Sequence, residues 1–146
     1  HMVEPLTDKY EALKKNYSNA NSNIKFYNLA IFNKDGEEKF FINGTEFSFV
    51  RHVNNRSIYV KTNTIQTFLK ENNINKIDCL FLDVEGVEDI IIRDLLYKTN
   101  VRPKIIRYEF PHLIEENKLI QTLEDNKYSV HNCCFAAGDR ICLKAG

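Results

Sequence analysis

The chain has 146 residues, with 20 lysines and arginines against 20 aspartates and glutamates, so its formal net charge is zero. That length is one domain's worth and allows a real hydrophobic core. The charge balance excludes a phosphate-backbone binder, which would carry a basic patch or stripe, so no nucleic acid partner is expected. No apolar run reaches the roughly 20 residues of a membrane span, and no secretory leader opens the chain. No membrane partner is expected, and the cytoplasm is the expected compartment. The four cysteines, Cys79, Cys133, Cys134 and Cys142, form no C-x-x-C pair, which argues against a zinc site. They read as reduced thiols, with Cys79 acting as a small hydrophobe in a buried run. His1-Met2 reads as an expression remnant, leaving 3–146 as the domain.

In chain order, Leu6, Tyr10, Leu13 and Tyr17 recur at helical spacing, with Pro5 suited to the first turn. Ile24 to Phe32 predicts a strand. Asp35-Gly36 and Asn43-Gly44 are hairpin turn signals, the second favouring type I′. With Glu37 to Ile42 and Thr45 to Val50 they predict a small antiparallel meander, Phe47 and Phe49 alternating in its last strand. Arg51 to Ser57 is a polar loop, and Ile58 to Lys61 a short strand. Thr62, Asn63 and Thr64 are all candidate caps for a helix carrying Ile65, Phe68 and Leu69 and ending near Asn72-Asn73. Pro103 precedes a strand over Lys104 to Phe110, which Pro111 breaks. Leu113 to Asn126 reads as a helix. Tyr128 to Phe135 and Arg140 to Lys144 read as an antiparallel hairpin turning at Ala136 to Asp139.

The stretch Ile77 to Ile92, IDCLFLDVEGVEDIII, organises the rest. Its first six residues are too short for a typical helix and read as a strand buried on both faces. Asp83-Val84-Glu85-Gly86 is then a tight turn. A helix follows to about Lys98, with Glu88 and Asp89 in the first turn, where the helix dipole favours negative charge. Strands buried on both faces belong to parallel sheets. Alternation of helix and strand from Thr62 onward predicts an α/β fold, a mostly parallel sheet ending in an antiparallel C-terminal hairpin.

In such folds ligands bind at the carboxyl ends of the strands. Asp83 and Glu85 sit there, two residues apart, so an extended backbone points them to one side. They could orient a hydroxyl, and one could take its proton; structurally, Glu85 and Glu88 could equally serve the helix N-terminus. Glu109 ends the next strand and His112 follows it. A carboxylate beside an imidazole suits proton transfer near neutrality, while the plainer reading pairs Glu109 with Arg107 or Lys104 and makes His112 a helix cap. Asp83, Glu85, Glu88 and Glu109 also resemble an oxygen-rich cation cluster; the pattern alone does not select an ion, and no metal is assigned. His52 and His131 lack local partners and receive no role.

Five blocks in order resemble the FkbM-type S-adenosylmethionine-dependent methyltransferases. They are Val3-Glu4-Pro5 with Tyr10, Leu13 and Asn16; Asn28-Leu29-Ala30-Ile31 with Asp35-Gly36; Thr64 to Leu69; Leu82-Asp83-Val84-Glu85-Gly86-Val87-Glu88; and Arg102 to Ile106 with Glu109 and His112. The resemblance implies a Rossmann-like class I methyltransferase fold and methyl transfer by in-line displacement, usually to a hydroxyl oxygen of a small molecule or sugar. It implies S-adenosyl-L-methionine as cofactor, with Glu4 at the ribose hydroxyls, Ala30 near the adenine, and Asp83 facing the methionine end or the acceptor. Asp83, Glu85, Glu109 and His112 are the catalytic candidates. One departure stands out. The family opens with a strand ending in a D-x-G-x-x-x-G loop that cradles the cofactor, and no such block occurs here. The expectation is a fold truncated at the N-terminus, with exposed strand edges flanking a gap. Either the remaining strands close up or a second copy fills the gap, making a homo-oligomer. A non-catalytic binding or assembly module that keeps a partial methyltransferase fold is the alternative.

Overall fold

A computed structural model describes residues 1–20, 23–43, 46–48, 56–133 and 138–146. The N-terminal half builds β1 (Met2–Val3), α1 (Thr7–Asn16), β2 (Phe26–Tyr27), β3 (Ala30–Ile31), β4 (Gly36–Asn43), β5 (Glu46–Ser48) and β6 (Arg56–Asn63). The C-terminal half builds α2 (Ile65–Glu71), β7 (Cys79–Leu82), α3 (Glu88–Lys98), β8 (Ile105–Glu109), α4 (Glu116–Asp125), β9 (Tyr128–Asn132) and β10 (Asp139–Lys144).

The class is α/β, but the expected mostly parallel sheet is corrected. The described strands form three sheets: β1-β2, β7-β8-β10-β9 and β3-β6-β4-β5. Parallel pairing is confined to β1 with β2, β3 with β6, and β7 with β8. The other pairs are antiparallel, since β4 runs back along both β5 and β6, and β10 along both β8 and β9. The C-terminal hairpin is as expected.

Two further corrections follow from single side chains. Ile24 to Phe32 is not one strand: Asn28 interrupts it. The Asn28 amide donates to the carbonyl oxygens of Glu4 (2.9 Å) and Pro5 (3.0 Å), and the halves on either side join different sheets. Asp35-Gly36 is not a hairpin between neighbours, because β6 lies between β3 and β4. Asp35 instead reaches the start of α2. There it accepts from the Thr64 N–H at 2.6 Å and the Thr67 hydroxyl at 2.8 Å. Thr64 is the N-cap among the three candidates, its hydroxyl accepting the Thr67 N–H at 3.1 Å. The last strand before α2 is longer than its apolar signal, eight residues from Arg56. Gly44, Phe49, most of the Arg51 to Ser57 loop, His52, Cys134, Phe135, Ala136 and Ala137 lie outside the described residues.

The core sits where the C-terminal sheet meets its helices. On α3, Glu88, Ile91, Ile92, Leu95 and Leu96 are buried, the i, i+3, i+4 stripe of an amphipathic helix. On α4 the stripe is Leu119, Thr122 and Leu123. They pack with Leu82, Ile106, Tyr108, Tyr128 and Cys142. Ile92, Leu95, Ile106, Leu119 and Leu123 are shut from solvent, each worth about 1.5–3 kcal/mol relative to exposure. The Arg102 guanidinium closes the C-terminal end of α3, donating to the carbonyls of Leu96, Thr99 and Val101 at 2.7, 2.9 and 3.0 Å.

β7 is not buried on both faces. Leu82 is buried, but Cys79 and Phe81 point the other way, Phe81 with 65% of its surface exposed. The alternation continues through β8, where Ile106 and Tyr108 are buried and Arg107 and Glu109 are part-exposed. A sheet with one face on the core and one towards solvent reads this way. Cys79 is therefore an exposed free thiol, not a core hydrophobe. Cys142 is the buried one, and burial pushes its thiol up to about 12, which leaves it protonated and inert. Among the described strands, β1 and β7 are edges of separate sheets, so the strands do not close up there, and both line one groove.

Candidate active site

The site is built on the turn after β7. Leu82 ends the strand, and Glu85 (φ +56°) and Gly86 (φ +104°) both enter left-handed space. Gly86 does so without a Cβ penalty; Glu85 needs the surrounding contacts to hold it. Glu88 supplies them from the first turn of α3. Its two carboxylate oxygens accept the N–H groups of Val84 (3.0 Å) and Gly86 (2.9 Å). Glu88 is almost fully buried, and those two charge-assisted bonds are what makes burying a carboxylate tolerable. Asp83 and Glu85 are brought to the same place by a turn with left-handed backbone at Glu85, not by the expected extended backbone, and both charges act on Glu109. Asp83 is exposed at the strand end, and Glu85 swings towards His112.

His112 comes from the segment after β8. Phe110 N–H bonds the Gly138 carbonyl at 2.9 Å, and Leu113 N–H bonds the Phe110 carbonyl at 3.0 Å, which turns the chain at Pro111. A side chain at Gly138 (φ +104°) would meet Pro111 Cγ at 3.0 Å, so glycine is what lets the two segments close. In the resulting geometry His112 Nε2 lies 3.2 Å from Glu85 Oε2 and 4.0 Å from Glu109 Oε2. The plainer pairings for Glu109 are absent. Arg107 bonds Asp139, Lys104 pairs with Asp78 at 2.9 Å, and Arg140 bonds Glu116. Partial burial, then the negative charges of Asp83 and Glu85, hold the Glu109 carboxyl above the usual carboxylate range, with His112 pulling the other way. All four catalytic candidates thus converge. Glu88 leaves the suspected cation cluster, because both its oxygens are committed to backbone.

Two hollows meet here. A groove of about 610 Å³ runs between the β1 edge and the β7 edge, lined by Val3, Glu4, Ala30, Leu82 and Asp83 among others. A smaller hollow of about 270 Å³ is lined by Phe81, Leu82, Asp83, Arg107, Glu109 and Asp139. Asp83 borders both. Glu4 is not a frayed end. Its N–H bonds the Tyr27 carbonyl at 3.0 Å, and its Oε1 accepts the Leu6 N–H at 2.8 Å. Burial raises its carboxyl, with that N–H opposing. Glu4, Ala30 and Asp83, the three cofactor-binding candidates, all face the large groove.

A family model described as the methyltransferase FkbM domain matches residues 1–130. The chain belongs to this family. It is a methyltransferase domain, and membership implies use of S-adenosylmethionine. Neither the curated proteins nor the solved structures include a match to it. Among the described residues, no helix is long and apolar enough to cross a membrane. Two contacts that hold this region together were not readable in the sequence. Glu88 was visible as a helix-start acid, but nothing local says that it folds back on Val84 and Gly86. Asn28 carries no signal for a clamp onto residues 24 positions earlier.

Proposed function

We propose that this FkbM domain is an S-adenosylmethionine-dependent O-methyltransferase acting on a hydroxyl of a small molecule or sugar. The observation that carries this reading is Asp83, which borders both the groove holding Glu4 and Ala30 and the hollow holding Glu109. Glu4 and the groove support the cofactor reading. Glu4 has one oxygen on the Leu6 N–H and a second able to accept a ribose diol proton, and the groove volume lies in the range of ligand sites. When bound, the cofactor supplies a sulfonium-activated methyl group. The chain's own part is placement and proton handling. Asp83, which borders both hollows, accepts the acceptor hydroxyl's hydrogen bond and takes its proton, with the Glu109 carboxylate close enough for the two charges to interact. Most of the acceleration comes from holding two reactants together.

Calorimetric titration with S-adenosylhomocysteine, the demethylated product, tests the reading. Binding is expected, weakened about tenfold or more in Glu4→Gln, because a charge-assisted hydrogen bond is worth about 1.5–3 kcal/mol. Asp83→Asn should lower methyl transfer far more than it lowers Tm, since an exposed strand-end carboxylate contributes little to packing. Absence of heat at high protein concentration would refute the enzymatic reading and favour a non-catalytic binding module.

A further inference from the structure

We propose that Glu85, Glu109 and His112 form a binding site for a first-row divalent cation such as Mn²⁺ or Zn²⁺. One ligand atom from each residue lies within 4.8 Å of the other two. Metal–ligand bonds of about 2.1 Å place adjacent ligand atoms about 3 Å apart and opposite ones about 4.2 Å apart. The observed 3.2 Å from His112 Nε2 to Glu85 Oε2, and 4.0 Å to Glu109 Oε2, fall within those limits.

A second observation is independent of spacing. Among the described residues, Glu109 Oε2 meets no solvent and no hydrogen-bond donor, its nearest cationic group being His112 Nε2 at 4.0 Å, although the side chain as a whole is 29% exposed. A buried carboxylate oxygen without a partner is costly, and a ligated cation removes that cost. Charge argues the same way. Around Glu109, the guanidiniums of Arg107 and Arg140 are committed to Asp139 and Glu116. Two carboxylates with one imidazole suit Mn²⁺, Fe²⁺ or Zn²⁺ better than Ca²⁺, which asks for six to eight oxygens. His112 is about half exposed, so outer coordination positions stay open to water or to an acceptor oxygen. Use of the cation on an acceptor rests on the methyltransferase reading; its binding does not.

The test is titration with Mn²⁺ followed by electron paramagnetic resonance, with pulsed detection of ¹⁴N coupling from a ligating imidazole. The intact chain should bind one Mn²⁺ and show that coupling. His112→Gln should abolish the coupling, and His112→Gln and Glu109→Gln should each weaken binding at least about tenfold, the scale that even outer-shell partners set. Asp78→Asn, at the opposite end of β7 and paired with Lys76 and Lys104, should change nothing. Circular dichroism confirms that each variant folds. Mn²⁺ remaining free at millimolar concentration, binding without nitrogen coupling, or equal binding by His112→Gln would each overturn the site. S-adenosylhomocysteine binding alongside such a result would leave the methyltransferase reading standing, so the two failures are separable.

Discussion

Replacing Glu88 is the sharpest perturbation of the turn that carries Asp83 and Glu85. In Glu88→Ala the N–H groups of Val84 and Gly86 lose their acceptors, at present 3.0 and 2.9 Å away. Each unsatisfied amide costs about 1–3 kcal/mol. Loss of a negative charge in the first turn of α3 adds about 0.3–1 kcal/mol. Water entering the vacated space offsets part of this, so the expected destabilisation is about 2–4 kcal/mol. That is a large share of the roughly 5–15 kcal/mol that holds a domain of this size. Glu88→Gln keeps one acceptor oxygen but turns an amide nitrogen towards the other donor, so it should retain roughly half of the loss. Urea unfolding followed by circular dichroism reads both, as a lower midpoint at unchanged slope. Hydrogen exchange at the Gly86 amide should accelerate in both variants while amides in β10 keep their order. If both midpoints stay within about 0.5 kcal/mol of the parent, with Gly86 still protected, Glu88 is not the clamp that its bond geometry indicates.

Two further outcomes are expected. Arg102→Ala removes the donor that serves three carbonyls at the end of α3; a loss of about 1–3 kcal/mol in urea unfolding is expected, and no loss would mean that water replaces the guanidinium fully. Asp35 has its carboxyl held below the usual range, first by the Thr64 N–H and then by the Thr67 hydroxyl. A folded-state value lowered in this way contributes stability above the ordinary carboxylate range of about 3.9, and that contribution disappears as pH falls through the depressed folded value. Tm measured from pH 6 down to pH 2.5 should therefore fall less steeply in Asp35→Asn, and parallel curves would remove Asp35 from the acid response.

Much of the C-terminal half was legible because its signals are local. The apolar stripe of α3, a cap for α2 among Thr62, Asn63 and Thr64, the break at Pro111 and the D-V-E-G turn each depend on residues a few positions apart. Sheet membership was not legible, because pairing is a relation between distant segments. Asp35-Gly36 has the composition of a hairpin turn, yet Asp35 finds a better partner in the α2 N-terminus, 29 residues away. Ile24 to Phe32 is apolar enough for one strand, but the Asn28 amide prefers the Glu4 and Pro5 carbonyls. An apolar run also cannot say what covers it. Cys79 and Phe81 look like core in sequence and face solvent in the fold.

The site shows the same division. Strand-end position and the family resemblance marked Asp83, Glu85, Glu109 and His112, with a structural role for each equally open from residue types alone. Their placement was decided by tertiary structure. Glu85 and Glu88 are near neighbours in sequence, but a left-handed backbone at Glu85 sends one carboxylate to His112 and leaves the other to bind backbone amides. Glu109 could have taken Arg107 or Lys104; β10 and the segment before β7 supplied those cations with Asp139 and Asp78 first. Sequence by itself determined which groups are present and which local elements carry them. Only the packed sheets decided which charges are spent on each other and which remain to meet a ligand, because long-range pairing sets the distances over which charge acts.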